Sequence, residues 1–123
     1  MSSKGPVPFI GIVDDDPGVR ESISSLIRSA GYKCALFESA ESFLTSGHAH
    51  DIGCLIVDFQ MPGLDALELH RRLVDTNHAI PIILISTRDH EVRERALKQG
   101  IAVVFGKPFP DKELLHAIQV LLA

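Results

Sequence analysis

Five short and almost uninterrupted apolar runs are the feature that most restricts the fold of this chain. In order along the sequence they are PFIGIV, KCALF, GCLIVDF, PIILIS and IAVVF. Continuous apolar runs, unlike alternating ones, are typical of strands that are covered on both faces, and they favour a parallel sheet. The sequence therefore predicts five strands in a sheet with a layer of helices on each face.

The segments between these runs have the apolar spacing of amphipathic helices. After the first run, Val19, Ile23 and Ile27 fall on one stripe, and Gly31 is a typical residue at which such a helix ends. A strand followed by a helix, five times over, is the pattern of a doubly wound α/β fold. The other four predicted helices bury Ala40, Phe43 and Leu44; Ala66, Leu69 and Leu73; Val92 and Ala96; and Leu114, Leu115, Ile118, Leu121 and Leu122.

The chain length suits one domain. With 123 residues it can bury a core without disulfides or a structural metal. We predict a flexible N-terminal segment over residues 1–8 and one domain over residues 9–123. Cys34 and Cys54 are too far apart for a CxxC motif, and we predict two buried thiols in a reducing cytosol.

Composition excludes several classes of function. The 12 basic residues are outnumbered by 16 acidic ones and there is no Trp, so neither a basic stripe nor a stacking platform for nucleic acid is present. No apolar run is long enough to cross a membrane, and the N-terminus lacks the apolar stretch of a signal peptide. The sequence predicts a cytoplasmic protein that does not bind nucleic acid directly.

Polar side chains follow four of the five predicted strands. In a doubly wound sheet, ligands bind outside the carboxyl ends of the strands. Carboxylates with a few neutral oxygens suit Mg²⁺, and a carboxylate beside such an ion can attack phosphorus. A lysine and a hydroxyl would then stabilise the phosphoryl oxygens. The polar residues at these strand ends are Asp14, Asp15 and Asp16; Asp58; Ser86 and Thr87; and Lys107.

The third acid of the DDD triplet has a separate explanation. Asp16 directly precedes Pro17, which suits the first position of a helix, so Asp16 is a good N-cap residue. We predict that it caps the first helix. An indirect, water-mediated role at a metal is the alternative.

Four separated segments carry a resemblance to a known family. IVDDD, CLIVDFQMPGLDALEL, PIILIS and FGKPF, in this order and at these spacings, resemble the receiver domain of two-component response regulators. The resemblance implies a flavodoxin-like (CheY-like) fold with strand order 2-1-3-4-5. It also implies a module that accepts a phosphoryl group from a histidine kinase or a histidine phosphotransfer protein, and that assists its own phosphorylation and dephosphorylation without being an enzyme in the ordinary sense.

The same resemblance extends to the output of the module. The segment GCLIVDFQMPG is similar to the corresponding segment of receivers that precede LuxR-type DNA-binding domains. Such an effector would lie outside this chain, which is then an isolated receiver domain or a single-domain receiver. Homodimer formation through the fourth and fifth helices is common in the family and is a further expectation.

The resemblance implies a role for each matching residue around the metal. Asp58 is expected to be the phosphoacceptor. Asp14 and Asp15 are expected to hold Mg²⁺ (or Mn²⁺) together with Asp58, with Asp15 as the more direct ligand. Gln60 is expected to complete the protein ligands through its backbone carbonyl.

On the phosphate side, Lys107 is expected to pair with the phosphoryl group and Ser86 to be the switch hydroxyl. Thr87, directly after it, is a further expected phosphate contact. The Lys107–Pro108 peptide bond is expected to be cis. Gln60 and Arg88 border the family's path for the attacking water, which makes them candidates for setting the lifetime of the phosphoryl group.

Two positions depart from the family. Thr87 stands where a small residue is common, and Val104, at the second switch position, stands where an aromatic residue is common. Phe105 should point to the opposite face of the strand and is not a substitute. These departures leave open whether the family's aromatic switch operates here.

Two alternatives remain open from the sequence. A degenerate receiver could serve as a phosphorylation-independent interaction domain, consistent with Thr87 and Val104. A Mg²⁺-dependent phosphatase with an Asp nucleophile is the other, but Gln60 stands where its general acid would be expected. The pair His48 and His50 is predicted to lie in a solvated loop, and His70 on a polar helix face or in a loop.

Overall fold

Strands and helices alternate throughout the structure, a computed structural model that describes residues 8–61, 63–86 and 90–122. No helix in these three ranges is long and apolar enough to cross a membrane. A short 3-10 helix at Ala49–Asp51 precedes the third strand. The strands and helices are β1 (Phe9–Val13), α1 (Pro17–Ser29), β2 (Cys34–Phe37), α2 (Ala40–Thr45), β3 (Ile52–Asp58), α3 (Ala66–Asp75), β4 (Ile82–Ser86), α4 (His90–Gln99), β5 (Val103–Gly106) and α5 (Asp111–Leu122).

The strands form one parallel sheet in the order β2-β1-β3-β4-β5. This confirms the predicted doubly wound α/β fold and its strand order. The chain leaves β1 for β2 on one side and returns to β3 on the other, so the topological switch point lies between β1 and β3. Ligands bind at such points in open α/β sheets. The residues that follow β1 and end β3 therefore occupy the place where a site is expected.

Apolar side chains cover both faces of the sheet. One buried cluster joins the strands to α2, α3 and α4, and the other joins them to α1 and α5. Along β4, Leu84 belongs to the first cluster and Ile85 to the second. Burial on both faces explains why the strands appear in the sequence as continuous apolar runs.

Local signals set the helix ends as predicted. The Asp16 side chain accepts hydrogen bonds from the backbone N–H groups of Gly18 (2.8 Å) and Val19 (3.3 Å), so it is the N-cap of α1. Glycines with positive φ follow three of the helices, Gly31 (95°) after α1, Gly47 (77°) after α2 and Gly100 (106°) after α4. Glycine enters this region without steric cost, which is why it commonly ends helices.

Two side chains lie elsewhere than predicted. Cys34 is only half-buried, because β2 is an edge strand, whereas Cys54 on the central strand β3 is buried as expected. His70 is buried between α3 and α4 instead of lying on a polar face. Its spacing of four residues from the buried Ala66 would have placed it on the inner stripe of α3, but its polar character concealed this.

Candidate functional site

Three carboxylates meet where β1 and β3 end. Val13 pairs with Val57 in the sheet, so Asp14 and Asp58, the next residues of the two strands, lie side by side. Asp14, Asp15 and Asp58 each place one carboxylate oxygen within 4.8 Å of the other two. Asp14 and Asp58 are buried and Asp15 is exposed. Oxygen ligands with one open side suit a hard divalent cation that keeps some of its water.

Asp14 is held in place through both its side chain and its backbone. Its Oδ1 accepts a hydrogen bond from the Asp16 N–H (2.9 Å), and its carbonyl oxygen accepts one from Arg20 Nη1 (2.6 Å). Burial raises the pKa of the Asp14 carboxyl above its ordinary value, although the Asp16 N–H lowers it in part. The charges of Asp58 and Asp15 raise the same pKa, and the Lys107 ammonium lowers it. A bound cation would relieve this repulsion between like charges.

Lys107 supplies the positive charge beside the acids. Its Nζ lies 3.4 Å from Asp58 Oδ1, and its side chain is partly exposed while that of Asp58 is buried. Its backbone N–H donates to the Ser86 carbonyl (3.0 Å), which ties the residue after β5 to the last residue of β4. The Lys107–Pro108 peptide bond is cis, as predicted.

Ser86 brings a buried hydroxyl to the same edge. It is the last residue of β4, next to the end of β3, where Phe59 N–H donates to the Ile85 carbonyl (2.8 Å). Ser86 Oγ is buried and has no hydrogen-bond partner among the residues that the structure describes. A buried hydroxyl without a partner costs about 1–3 kcal/mol. An arriving phosphoryl oxygen would supply the missing partner, so this atom fits a site that is completed by a ligand.

The resemblance to receivers implies a phosphate contact for Thr87 and a place on the water path for Arg88, and both residues lie outside the described part of the chain. Gln60 is exposed, and its backbone N–H lies 3.4 Å from Asp58 Oδ1. The expectation that its carbonyl binds a metal stays a prediction.

In the loop between β3 and α3, which also contains Gln60, the Leu64 N–H donates to Glu41 Oε2 of α2 (3.0 Å). Sequence reasoning assigned Glu41 no function. Its position in the first turn of α2 indicates only a favourable helix charge, and contacts between distant segments leave no local signal.

Val104 and the next residue, Phe105, point to opposite faces of β5, as predicted. Val104 packs against the cluster that includes α3 and α4. Phe105 packs against the cluster on the α1 and α5 side, where its ring stacks on that of Phe109 with centroids 5.7 Å apart. Arg93 of α4 donates from Nη1 to the Val104 carbonyl (3.2 Å), which links α4 to β5.

An open groove of about 630 Å³ lies beside the site, between α1 and the segment that leads into α5. Its lining includes Val19, Leu26, Phe109 and Lys107, so the lysine belongs to both the groove and the acidic site. At a different loop, His48 and His50 are exposed as predicted, and the described residues contain no group of three metal ligands there.

The sequence matches the family described as response regulator receiver domain over residues 10–119. It is 42% identical to the response regulator protein TodT of Pseudomonas putida, over 99% of this chain and 53% of TodT. It is 34% identical to the transcriptional regulatory protein FixJ of Bradyrhizobium diazoefficiens, over 97% of this chain and 57% of FixJ. The chain thus spans about half the length of these curated relatives.

A solved structure has the same fold. The response regulator StyR superposes with a TM-score of 0.86 and 36% identity, covering 95% of this chain and 60% of StyR. This chain therefore resembles known response regulators in sequence and, in the case of StyR, in backbone fold as well.

Proposed function

The chain belongs to the response regulator receiver family, and from that premise we propose that Asp58 accepts a phosphoryl group from the phosphohistidine of a partner kinase or phosphotransfer protein. A receiver is a phosphoacceptor module of two-component signalling and not a classical enzyme. One observation carries the assignment to Asp58. Its carboxylate is nearly buried, lies in a group of three carboxylates and has the Lys107 ammonium 3.4 Å away.

The group formed by Asp14, Asp15 and Asp58 fits Mg²⁺ or Mn²⁺, because it combines hard oxygen donors with one exposed member. When bound, the cation would neutralise charge on the acceptor and on the incoming phosphoryl oxygens. In this proposal Asp15 is the more direct ligand, and Gln60 adds its backbone carbonyl.

The transfer step needs a nucleophile, a leaving group and compensation of charge. A carboxylate oxygen of Asp58 attacks phosphorus, the bond from phosphorus to the donor's imidazole nitrogen breaks, and the electron pair returns to the imidazole. The product is an aspartyl phosphate. Lys107 turns from the Asp58 carboxylate to the phosphoryl oxygens, and Ser86 Oγ donates to one of them. Thr87 is a further proposed phosphate contact.

The signal would leave the site through α4, β5 and α5. A partner for the Ser86 hydroxyl stabilises one position of the end of β4, and this shifts an existing equilibrium between two arrangements of the neighbouring face. Ser86 and Val104 occupy the two switch positions in this proposal. The bond from Arg93 to the Val104 carbonyl would carry the change to α4.

The whole protein would extend beyond this module. FixJ is a transcriptional regulatory protein of which the chain covers about half, so we propose a C-terminal DNA-binding effector in the parent protein. Dimer formation through α4 and α5 is part of the same proposal. A cytoplasmic location agrees with the two free thiols, Cys34 and Cys54, because thiols stay reduced there.

One observation favours a second candidate function, that of a degenerate receiver. Val104 lacks the aromatic ring that couples phosphate to the output face in related receivers, and Phe105 points away from its place. A degenerate receiver that acts as an interaction domain without phosphorylation would have no need of that ring.

Intact mass spectrometry separates the two candidates. We expect the wild-type protein, incubated with Mg²⁺ and acetyl phosphate, to gain one phosphoryl group, and the Asp58→Ala variant to gain none. Asp75→Ala is the matched control, because Asp75 is an exposed aspartate at the end of α3 and should leave the adduct intact. An adduct that persists in Asp58→Ala would move the acceptor to another residue. A wild-type protein without an adduct would favour the degenerate receiver.

A further inference from the structure

The loop between β3 and α3 is bonded near its end to a different helix. The Leu64 N–H donates to Glu41 Oε2 over 3.0 Å, although the two residues are 23 positions apart in the sequence. Hydrogen bonds to a charged acceptor are stronger than those to a neutral one. This contact lowers the pKa of the Glu41 carboxyl, so the group is ionised at neutral pH and can only accept.

The carboxylate lies against the loop backbone at a second residue. Gly63 has φ of 82°, and a Cβ built on it would come within 2.7 Å of Glu41 Oε2. The left-handed backbone favours glycine at this point, and a larger residue would also displace the Glu41 carboxylate from its place against the loop. The Glu41 side chain of α2 therefore contacts the loop in two ways, by close packing at Gly63 and by a hydrogen bond at Leu64.

The loop is also attached through apolar packing, because Phe59, Met61 and Leu64 lie against the buried cluster on the α2, α3 and α4 side of the sheet. At its start, Phe59 N–H donates to the Ile85 carbonyl, and at its end the Asp65 side chain caps α3 by accepting from the Glu68 N–H (2.9 Å). Among the described loop residues, 59–61 and 63–64, the remaining hydrogen bonds are local, from the N–H groups of Gln60 and Met61 to Asp58 and Phe59. Among the described residues, Glu41 is the side chain outside the loop that accepts a hydrogen bond from the backbone near the end of the loop, at Leu64.

We propose that Glu41 is a positioning residue for the phosphoacceptor site, because by holding Gly63 and Leu64 it fixes the loop that presents Gln60 to the metal. This inference rests on the proposed function. Glu41 belongs to α2 and acts through the loop backbone. A cation is bound more tightly when its ligands are already ordered, so loss of the Glu41 contact should weaken metal binding and leave the transfer step intact.

Three variants test this role: Glu41→Ala, Glu41→Gln and the control Glu113→Ala. Glutamine keeps an acceptor oxygen at the same distance from the backbone and should preserve the bond to Leu64. Glu113 is an exposed glutamate in the first turn of α5, as Glu41 is in the first turn of α2. Replacing Glu113 removes the same favourable charge from a helix N-terminus, but it leaves the contact between Glu41 and the β3–α3 loop intact.

The readouts are amide hydrogen exchange at Leu64 without metal, the dissociation constant of Mg²⁺ from calorimetry, and phosphoryl uptake from acetyl phosphate. For Glu41→Ala we expect faster exchange at Leu64 and about two- to tenfold weaker Mg²⁺ binding, as for the loss of one hydrogen bond. Phosphoryl uptake should be slower at low Mg²⁺ and equal to that of wild type at saturating Mg²⁺. Glu41→Gln and Glu113→Ala should resemble wild type.

Several results would overturn the proposal. Unchanged Leu64 exchange and Mg²⁺ affinity in Glu41→Ala would do so, as would a Gln variant that is as impaired as the Ala variant or an equal effect of Glu113→Ala. A wild-type protein that binds no Mg²⁺ and gains no phosphoryl group would overturn the proposed function as well. The two failures are distinguishable, because only in the second is the wild-type protein itself inactive.

Discussion

Buried polar groups occur in two regions of this molecule, and their surroundings differ. At the edge of the sheet, Asp14 and Asp58 are 3% and 6% exposed and lie beside a further carboxylate, while the equally buried Ser86 Oγ lacks a hydrogen-bond partner among the described residues. Between α3 and α4, His70 is 9% exposed, but its Nδ1 lies 3.0 Å from Gln99 Nε2. The first region keeps a hydroxyl without a partner and places three carboxylates beside one lysine, whereas the second region satisfies its polar groups within the protein.

The bonds of Gln99 define the protonation of His70. Gln99 Nε2 lies 2.7 Å from the Leu67 carbonyl, which can only accept, so Nε2 is the amide nitrogen and donates. His70 Nδ1 therefore accepts the second amide hydrogen, and the neutral ring carries its proton on Nε2. A satisfied buried network of this kind stabilises the fold, while a buried cluster of like charges destabilises it until a ligand arrives. Substitutions in the two regions should consequently change stability in opposite directions.

The largest change in stability is expected at the α3–α4 contact. Gln99→Ala leaves the buried His70 Nδ1 without its donor and should lower the free energy of unfolding by about 1–2 kcal/mol. Gln119→Ala, at an exposed position of α5, is the matched control and should change it little. Urea denaturation followed by circular dichroism measures both. Equal stability of the two variants would mean that the contact between α3 and α4 contributes nothing.

The opposite sign is expected for Asp14→Asn. The raised pKa of Asp14 means that its ionisation costs more in the folded than in the unfolded protein. Its contribution to stability is therefore present below the unfolded pKa of about 3.9 and is lost as pH rises through the folded pKa. The asparagine variant avoids this loss and should be about 1 kcal/mol more stable at pH 7 without metal.

Thermal unfolding in the presence of a chelator checks this prediction, and calorimetry should show that the Asp14→Asn variant has lost affinity for Mg²⁺. A variant that is less stable than wild type at pH 7 would contradict the proposed repulsion among the acids. The same comparison at pH 3 should show a smaller gain, because Asp14 of the wild-type protein is then largely protonated in both the folded and the unfolded state.

A smaller effect of pH is expected at His70. Burial lowers the pKa of this imidazole in the folded protein, so its contribution to stability is present above the unfolded pKa of about 6.5 and is lost as pH falls below that value and through the lower folded pKa. We expect a loss of up to about 1 kcal/mol between pH 7.5 and pH 5. His70→Gln should reduce this slope, and His116→Gln, at an exposed position of α5, should keep it. If the free energy of unfolding of His70→Gln depends on pH as it does in wild type, other titratable groups cause the dependence.

The smallest change in stability is expected for Ser86→Ala, since no hydrogen bond to a described residue is lost. The free energy of unfolding should stay within about 0.5 kcal/mol of wild type or rise slightly. Ser46→Ala is the contrast, because the Ser46 hydroxyl donates to the Phe43 carbonyl (2.7 Å) and accepts from the His48 N–H (3.2 Å). It should be the more destabilised of the two in the same urea experiment. The reverse order would indicate that the Ser86 hydroxyl is already paired in the folded protein.

Features that depend on neighbours in the chain were predictable from the sequence. The continuous apolar runs indicated a sheet buried on both faces, and Asp16 before Pro17 indicated the cap of α1, since a capping bond spans only two or three residues. The strand order was implied by the resemblance to receivers, because the apolar pattern of a strand does not identify its neighbour.

Tertiary structure decided which polar groups are compensated. The sequence placed Asp14, Asp58, Ser86 and Lys107 after strands, but only the pairing of β1, β3, β4 and β5 brings the acids within 4.8 Å and the lysine to 3.4 Å. The inward position of His70 and the bond from Leu64 to Glu41 also depend on contacts between separate elements. Hydrophobic periodicity and capping act over a few residues, whereas burial, charge repulsion and long-range hydrogen bonds depend on distances that only the folded chain defines.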